Sequence, residues 1–392
     1  MVRSVNSIPI LNLTQQYKNL AAEVNDVVLK VLASGGYIGG ANVLGFEQQF
    51  SDYVGVSDCV ACNSGTDALY LALLALGIGA GDEVITTPFT FFATAEVVSA
   101  VGAKLVFVDI DAQTFNLDLT QVAAAITDKT KAIIPVHLYG QPVDMTALMA
   151  IASSRQLAVI EDCAQSTGAL WAGKQVGSIG HIGCFSFYPT KNLGACGDGG
   201  AVTTNDPAIA AKIRMLRQHG EKSSYHHVEI GINSRLDALQ AAILQVKLRY
   251  LDTWNEQRQA IAARYHQYLS SIPGIVTPQE LPGGKGVWNQ YSIRLQEGER
   301  REARAKSEDT SESNSNYRDR VRQLLQQKSV ASMVYYPLPI HLQPVYQDLN
   351  YQQGQFPVAE QACHEVLSLP IFPELTIEQQ EQVIYSLKDC LN

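Results

Sequence analysis

An alternation of short β-branched runs with helix-period stretches, between about residues 55 and 205, constrains this chain most strongly. Each run is flanked by Gly, Pro or Asp. This alternation predicts an α/β fold in which helices cover both faces of a mostly parallel sheet. Ligands of such sheets bind at the carboxyl ends of the strands, so candidate site residues lie just after them. The predicted strands are Glu83–Thr87, Lys104–Asp109, Ala132–Val136 and Ala158–Glu161, and the predicted helices include Asp67–Leu76 and Met145–Arg155.

The C-terminal part follows a different pattern. A long, bent helical stretch is predicted from about Ser234 to Ser270, and Pro273-Gly274 ends it. We therefore predict an N-terminal arm and a large domain over residues 1–250, and a smaller α+β domain over residues 251–392. The segment 297–316 is mostly charged, Ser or Asn without an aromatic residue, which predicts a flexible surface insertion. The small domain is predicted to contain a strand at Gln290–Leu295 and helices at Asp319–Gln327 and Thr376–Leu387.

Composition excludes some partners. The 29 basic and 38 acidic residues give a net charge of 29 − 38 = −9, which disfavours nucleic acid and anionic membranes as partners. The apolar stretch 68–80 is too short to span a bilayer, and no secretory signal is expected. Seven cysteines without framework spacing suit reduced thiols in the cytoplasm. Cys59 and Cys62 form a CxxC pair without a second pair, so we expect core thiols and no metal site.

Lys191 lies between an aromatic, Pro-containing segment and a loop with four glycines. A lysine on such a tight turn suits Schiff-base chemistry, because desolvation lowers the basicity of its amine. The alternative is an exposed loop lysine, which is the ordinary environment of this residue type. The segment alone does not decide between them.

Three further segments match the needs of a phosphorylated pyridine cofactor. Gly65 and Thr66 open an apolar helix, where backbone N–H groups favour a phosphate, although a plain capping turn is an alternative. Asp162 ends a buried strand and could pair with a protonated pyridine nitrogen, or could cap a following helix. Aromatic residues in Pro88–Thr94 could stack on the ring. In this order on an α/β sheet, the features indicate a pyridoxal 5'-phosphate (PLP) site.

Six motifs together resemble the DegT/DnrJ/StrS-type nucleotide-sugar aminotransferases, which are fold-type-I PLP enzymes. The resemblance covers nearly the whole chain and implies a large PLP-binding domain followed by a small α+β domain. The motifs are SGTDAL at Ser64–Leu69, PFTFFAT at Pro88–Thr94, EDCAQSTGA at Glu161–Ala169, FSFYPTKNLGACGDGGA at Phe185–Ala201, GINSRLDALQAAIL at Gly231–Leu244 and YPLPIHLQPVY at Tyr336–Tyr346.

The resemblance also implies roles at matching positions. Lys191 is similar to the lysine that binds the cofactor and shuttles a proton, and Asp162 to the partner of the pyridine nitrogen. Phe91 matches the aromatic residue that stacks on the ring, and Gln165 the residue that contacts its phenolic oxygen. The remaining matches are Gly65, Thr66 and Ser186 in the phosphate cup, Asn233 reaching across a dimer interface, and Tyr37, Tyr188 and His341 at the sugar or its diphosphate. For the last three, an aromatic residue of the core or surface without a ligand is the alternative.

The reaction implied by the resemblance is transfer of an amino group from L-glutamate to a keto-sugar nucleotide, in amino-sugar or surface-polysaccharide biosynthesis. YPLPIHLQ is more similar to members that aminate C3 than C4 of the hexose, and the resemblance implies a homodimer with shared active sites. Residues 39–42 read Gly-Gly-Ala-Asn where members often have Gly-Pro-Glu, which leaves the substrate side open. Two alternatives are a PLP-dependent sugar dehydratase, whose members have His in place of the lysine, and a non-catalytic PLP-binding regulatory protein.

Overall fold

The computed structural model describes residues 7–297 and 316–391. Its helices are α1 Leu13–Ser34, α2 Gly40–Val54, α3 Gly65–Ala75, α4 Ala93–Ala100, α5 Leu119–Ala125, α6 Met145–Arg155, α7 Pro207–Leu216, α8 Ala238–Leu248, α9 Leu251–Leu269, α10 Tyr317–Gln327, α11 Pro357–Glu365 and α12 Ile377–Leu391. Its strands are β1 Asp58–Cys62, β2 Glu83–Thr86, β3 Lys104–Phe107, β4 Thr130–Ile133, β5 Ala158–Asp162, β6 Leu170–Trp171, β7 Lys174–Gln175, β8 Ile182–Ser186, β9 Gly200–Thr204, β10 Glu221–Ser223, β11 His226–His227, β12 Ile275–Val276, β13 Gly284–Lys285, β14 Tyr291–Leu295 and β15 Val366–Leu369.

A seven-stranded sheet in the order β1-β9-β8-β5-β4-β2-β3 forms the centre of the molecule. The strands from β8 to β3 pair in parallel, and β9 is antiparallel to both β8 and β1. The predicted α/β class with a mostly parallel sheet is therefore confirmed. The four predicted strands are present as β2 to β5, and sequence reasoning missed β1, β8 and β9. β1 and β8 each contain a single β-branched residue, and β9 begins with Gly200-Ala201, so these strands lack the β-branched runs by which the other four were predicted.

Apolar side chains pack against both faces of this sheet. On one face lies α3, whose Leu69, Leu71 and Leu73 are all buried beside residues of β8 and β9. On the other face, Phe46 and Phe50 of α2 pack edge-on against Phe187. Since helices cover both faces of the sheet, a ligand can bind only at the ends of the strands. The carboxyl ends of β5 and β8 lie near the start of α3, and the candidate site is there.

The chain beyond the central sheet builds a second core. The predicted long helix is two helices, because α8 ends at Leu248 and α9 begins at Leu251. A three-stranded antiparallel sheet, β12-β14-β15, packs with α9, α10 and α12 around a cluster that contains Tyr265 and Tyr291. The N-terminal arm joins this cluster, since Ile8 pairs with Val330 and is buried there.

The domain boundary at residue 250 remains a prediction. Ile340 and residues of α11 such as Ala359 pack in the same cluster as the central sheet, so the C-terminal region contributes to both cores. Residues 298–315, which make up nearly all of the predicted insertion, lie outside the described residues. In the described part of the chain, we find no helix with both the length and the apolar character needed to cross a bilayer.

Candidate active site

A cavity of about 540 Å³ opens at the carboxyl ends of β5 and β8. It is the meeting point of segments that are far apart in sequence: the start of α3, the loop before α4, the ends of two strands and the loop after β8. The structure brings together at this cavity most of the residues predicted from the sequence. They are Gly65, Thr66, Phe91, Asp162, Gln165, Ser186, Tyr188 and Lys191.

Asp162 ends β5 and is buried on the wall of the cavity. Its Oδ1 accepts a hydrogen bond from the backbone N–H of Ala164 at 3.1 Å, and its Oδ2 accepts one from the hydroxyl of Thr94 at 2.8 Å. Burial raises the pKa of Asp162, and these two donors and the nearby Lys191 oppose that rise. Residues 163–169 form turns and no helix, so the helix-capping alternative is wrong.

Lys191 lies in the loop after β8 and is partly buried at the cavity. Burial lowers the pKa of its amine to about 8, although Asp162 acts in the opposite direction. The loop turns tightly: a Cβ on Gly194 would lie 2.3 Å from the carbonyl oxygen of Pro189, so a side chain cannot be accommodated there. The exposed-lysine alternative is therefore wrong. With this pKa, a minor fraction of Lys191 side chains is neutral near physiological pH.

The residue after Lys191 fixes this loop to the C-terminal region. The amide nitrogen of Asn192 donates to Asn255 Oδ1 at 2.7 Å and to the carbonyl of Val287 at 2.9 Å, while Asn289 donates to Asn192 Oδ1 at 2.8 Å. All three asparagine side chains are buried. Because buried amides that lose a partner are costly, this network restricts the position of Lys191.

The start of α3 forms a cradle for an anion. Ser64 caps the helix by accepting from the N–H of Asp67 at 3.1 Å, so the capping alternative is also satisfied. The first N–H groups of a helix have no intrahelical acceptor, which leaves those of Gly65 and Thr66 for a ligand. A Cβ on Gly65 would lie 2.6 Å from the Cβ of Ser186, so glycine is required for this close approach. These features fit a phosphate group.

An aromatic wall closes the other side of the cavity. The ring of Phe91 is 59% exposed and its centroid lies 6.3 Å from that of Tyr336. The amide nitrogen of Gln165 donates to the hydroxyl of Tyr336 at 3.0 Å, and its oxygen accepts from the N–H of Tyr139 at 2.7 Å. Gln165 is therefore held with its nitrogen towards the cavity wall, where it can contact a polar group of a planar ring.

Sequence reasoning missed Thr94 and Tyr336, which both line the cavity. Each lies inside a motif that the sequence analysis quoted, PFTFFAT and YPLPIHLQPVY. Thr94 falls one helical turn after the aromatic Phe91, and that i, i+3 spacing is a signal that places both side chains on one face.

Three predicted residues do not line the cavity in this chain. Tyr37 is partly exposed, and its backbone oxygen accepts from the N–H of Ala238 at 2.9 Å. Asn233 is exposed and pairs with Gln218. His341 is buried, accepts from or donates to Glu360 at 3.1 Å, and lies with its ring centroid 4.8 Å from that of Phe356. This is the environment of a core histidine.

The two cysteines of the CxxC pair lie in β1 and face opposite sides of the sheet. Cys59 is in the cluster that contains α2, and Cys62 is in the cluster that contains α3. Burial raises the pKa of both thiols, that of Cys62 to about 12. They are therefore inert core residues and cannot chelate one ion together.

One other cluster among the described residues has metal-ligand chemistry. His137, Glu161 and Cys163 bring potential ligand atoms within 4.8 Å of one another, and all are buried. However, the N–H of Val143 donates to Nδ1 of His137 at 3.0 Å, so the ring proton is on Nε2 and donates to Glu161 at 3.0 Å. Both side chains are occupied by these bonds, and we assign no metal to them.

Comparison with known proteins places this site in a family. The chain is 48% identical over 385 residues to a pleiotropic regulatory protein of Geobacillus stearothermophilus, covering 98% of both chains. It is 42% identical over 386 residues to a UDP-N-acetyl-3-dehydro-α-D-glucosamine 3-aminotransferase of Acidithiobacillus ferrooxidans, again covering 98% of both.

Solved structures with the same fold also belong to aminotransferases. The S. venezuelae DesV structure, determined in complex with a ketimine intermediate, has a TM-score of 0.91 and 41% identity, and the match covers 98% of each chain. Neighbours of this fold have been solved with the cofactor in its PMP and PLP forms. The cradle at Gly65 and the buried carboxylate of Asp162 fit this cofactor. The model of the DegT/DnrJ/EryC1/StrS aminotransferase family matches residues 18–388, and the chain belongs to that family of PLP-dependent sugar aminotransferases.

Proposed function

We propose that this protein moves an amino group from L-glutamate to C3 of a hexose in a nucleotide-linked keto-sugar, for amino-sugar or surface-polysaccharide biosynthesis. One observation supports the chemistry most directly: Lys191, Asp162 and the cradle at Gly65 converge on one cavity from three separate segments. The relative named for a 3-dehydro sugar and 3-amination supports the choice of C3.

The cofactor roles follow from the chemistry of each side chain. PLP supplies an electron sink for the bond changes at the amino acid's Cα. We propose that Gly65, Thr66 and Ser186 bind its phosphate and that Phe91 stacks on its ring. Asp162 and Gln165 orient the ring through its nitrogen and its phenolic oxygen.

Lys191 binds the cofactor and moves a proton. Its amine must be neutral to act as a nucleophile or base, and burial lowers its pKa to about 8. At this pKa about a tenth of the amine is neutral at pH 7, far more than for a lysine of ordinary pKa. The Asn192 network supports this role, because it restricts the loop that holds Lys191 at the cavity.

The sugar side is supported by Tyr188, which lines the cavity and is 53% exposed at its mouth. A half-exposed aromatic residue can contact a sugar face or a diphosphate oxygen without losing its solvation elsewhere. Tyr37 stays a proposed substrate contact, close in sequence to Gly39 and Gly40, whose positive φ angles of 67° and 75° favour glycine. The prediction for His341 gains no support from its buried position, and we carry no substrate role for it forward.

We also propose a cytoplasmic homodimer with shared active sites. Asn233 and Tyr37 are exposed and lie outside this chain's own cavity, near the start of α8. Apolar side chains are exposed in the same part of the molecule, including Ile38 and Leu44. Twofold symmetry is the commonest arrangement of such an assembly, and it would let Asn233 reach the neighbouring cofactor.

Mixing two inactive variants tests the shared site. A Lys191→Ala chain combined with an Asn233→Ala chain should restore one intact site in each mixed dimer, so activity should exceed that of either parent. Each parent chain taken through the same mixing step alone is the control for changes in activity that mixing itself causes. Confirmed mixed dimers that are no more active than the parents would contradict sharing.

The two alternatives are less well supported. A sugar dehydratase of this family would have His at the lysine position, and this chain has Lys191. The Geobacillus relative is named a regulatory protein, but a non-catalytic regulator has no need for a lysine of lowered pKa near Asp162.

A substrate panel tests the proposal. The protein, loaded with PLP, is supplied with L-glutamate and with UDP- and dTDP-linked hexoses that carry the keto group at C3 or C4. Without an acceptor we expect at most one equivalent of 2-oxoglutarate per active site, because the amino group then stays on the cofactor. With an acceptor we expect continued release of 2-oxoglutarate, and faster turnover with the C3-keto sugars. Borohydride should fix PLP on a peptide that contains Lys191. A Lys191→Ala variant is the matched control, and PLP fixed on another lysine in the parent would refute the assignment.

A further inference from the structure

We propose that Thr94 is a positioning residue, whose hydroxyl, supported by Thr90, holds the carboxylate of Asp162 ionised and turned towards the nitrogen of the cofactor ring. This inference rests on the proposed role of Asp162 and extends it to two residues that no part of the sequence analysis assigned. Both threonines line the cavity and both are buried.

The hydrogen bonds between these residues have one possible direction. Thr94 Oγ1 lies 2.8 Å from Asp162 Oδ2, and Thr90 Oγ1 lies 3.1 Å from Thr94 Oγ1. An ionised carboxylate only accepts hydrogen bonds, so Thr94 must donate its single proton to Asp162. Thr94 can then only accept from Thr90. The chain therefore runs from Thr90 through Thr94 to Asp162, and each bond polarises the next.

This arrangement leaves the rest of Asp162 open to a ligand. One protein donor, the N–H of Ala164, occupies Oδ1, and one, the hydroxyl of Thr94, occupies Oδ2. A carboxylate has about four acceptor positions, so acceptor capacity remains on an oxygen that faces the cavity. Two donors on different oxygens fix the carboxyl plane, and a directional hydrogen bond to a ring nitrogen requires a carboxylate that is held in one orientation.

The same short segment sets both the stacking and the hydrogen bond. Phe91 lines the cavity, and the N–H of Thr94 donates to the carbonyl of Phe91 at 3.2 Å as α4 begins. The stacking ring and the hydroxyl are therefore one rigid turn apart. A displacement of this turn would alter the ring contact and the Asp162 contact together.

Removal of the hydroxyl has a defined chemical consequence. Burial raises the pKa of Asp162, while Ala164, Thr94, Lys191 and His137 lower it. Without Thr94 as a donor, the carboxylate is a stronger base. The proton between the ring nitrogen and Asp162 then moves towards the carboxyl oxygen, and the ring becomes a poorer electron sink.

Four variants and one spectroscopic measurement test this. Thr94→Val replaces the hydroxyl by a methyl group of similar size, and Thr94→Ser restores the hydroxyl. Thr86→Val is the matched control, because Thr86 is equally buried and its hydroxyl donates at 2.9 Å to the carbonyl of Ile134 in the sheet, away from Asp162. Asp162→Asn tests the underlying assignment. Each holoenzyme is prepared with PLP labelled with 15N in its ring, and the 15N chemical shift reports protonation of the ring nitrogen.

We expect the 15N shift of Thr94→Val to move towards that of a neutral pyridine, with kcat about 10- to 100-fold lower, since a hydrogen bond to a charged group is lost. Thr94→Ser should restore both. Thr86→Val should keep the parent's 15N shift even where its thermal stability falls. A Thr94→Val protein with the parent's shift and kcat would overturn the inference, as would a Thr94→Ser protein impaired as much as Thr94→Val.

The Asp162→Asn protein separates the two levels of the argument. If its 15N shift moves and that of Thr94→Val does not, the role of Thr94 is wrong and that of Asp162 holds. If the 15N shift of Asp162→Asn equals that of the parent, the proposed role of Asp162 fails, and the inference fails with it.

Discussion

Glu161 and Asp162 are neighbours at the end of β5, and both carboxylates are buried, yet they face opposite sides of the sheet. On one side, Glu161 accepts four hydrogen bonds: from His137 and from the backbone N–H groups of Gly177, Ile179 and Gly180, at 2.6 to 3.0 Å. On the other side, Asp162 accepts two, and it lines a cavity.

The difference shows how a buried carboxylate serves structure or chemistry. Glu161 ties the turn before β8 to the sheet and has its acceptor positions filled, so nothing remains for a ligand. The two donors to Asp162 are enough to fix its carboxylate, but they leave hydrogen-bond acceptor positions unfilled. A buried charge in that condition is costly alone, and a cationic group of a cofactor offsets the cost. The cavity side of β5 is thus incomplete without a ligand, and the other side is complete.

The largest expected effect is a loss of turnover when the carboxylate on the cavity side, Asp162, is neutralised. Asp162→Asn keeps the volume and removes the charge, so PLP should still bind through Lys191 and the cradle at Gly65. Turnover should fall by roughly two to four orders of magnitude, about 3–5 kcal/mol of barrier, because the ring nitrogen loses its anionic partner. The visible spectrum and kcat are measured on the same sample. A variant that turns over within about threefold of the parent would refute the assignment of Asp162, and one that binds no PLP would make it structural.

The corresponding change on the other side should act on stability. Glu161→Gln places an NH₂ group among four donors and removes the charge that they bind. The free energy of unfolding should fall by about 2–3 kcal/mol, as expected for buried donors that lose a charged acceptor. Urea unfolding measures this loss, and kcat per folded molecule should remain within about threefold. Loss of activity without loss of stability would show that the two sides are not separate.

A smaller effect is expected at the phosphate cradle. Gly65→Ala would place a Cβ 2.6 Å from the Cβ of Ser186, so the start of α3 must move away from β8. The dissociation constant for PLP should rise about 5- to 30-fold, since overpacking a tight contact costs roughly 1–2 kcal/mol. Fluorescence titration of the PLP-free protein measures it. Gly79→Ala is the control, because its nearest contact would be an ordinary 3.4 Å. Equal affinities in the two variants would exclude the cradle.

The sequence predicted the sheet and the position of Asp162, but not which face of β5 borders the cavity. The alternation of strands and helices was sufficient for the parallel sheet, and it located Asp162 at a strand end. Alternation also implies that Glu161 points the other way, but it does not say which face holds the cavity. That choice depends on α3 and the loop before α4, which reach β5 only through long-range packing.

Residues that act through other residues were harder to predict. Thr94 contacts a carboxylate 68 positions later, and no local pattern marks such a pair. At His341 a motif suggested a ligand contact, whereas the fold buries the ring against Phe356 and leaves that prediction without support from this chain. A short motif gives the residue types, and tertiary packing decides which of them face the cavity.

The smallest expected effect is a shift in the pKa of Lys191, which should respond to the charge of Asp162 and not to that of Glu161. In the PLP-free protein, burial lowers the pKa of Lys191 to about 8, and the negative charge of Asp162 partly offsets that decrease. Asp162→Asn removes the offset, so the pKa of Lys191 should fall further and the neutral amine should persist to lower pH. Glu161 lies on the other face, so Glu161→Gln should leave that pKa where it is in the parent.

The pH dependence of Lys191 acetylation, followed by mass spectrometry of the peptide that contains it, gives the pKa in each variant. Amines react in their neutral form, so reactivity rises as pH passes upward through the pKa. The Asp162→Asn curve should lie at lower pH than the parent curve, and the Glu161→Gln curve should overlie the parent. If both substitutions moved the curve equally, the charges of Glu161 and Asp162 would affect the pKa of Lys191 to the same extent. The two faces of β5 would then not be electrostatically separate, and this prediction would be wrong.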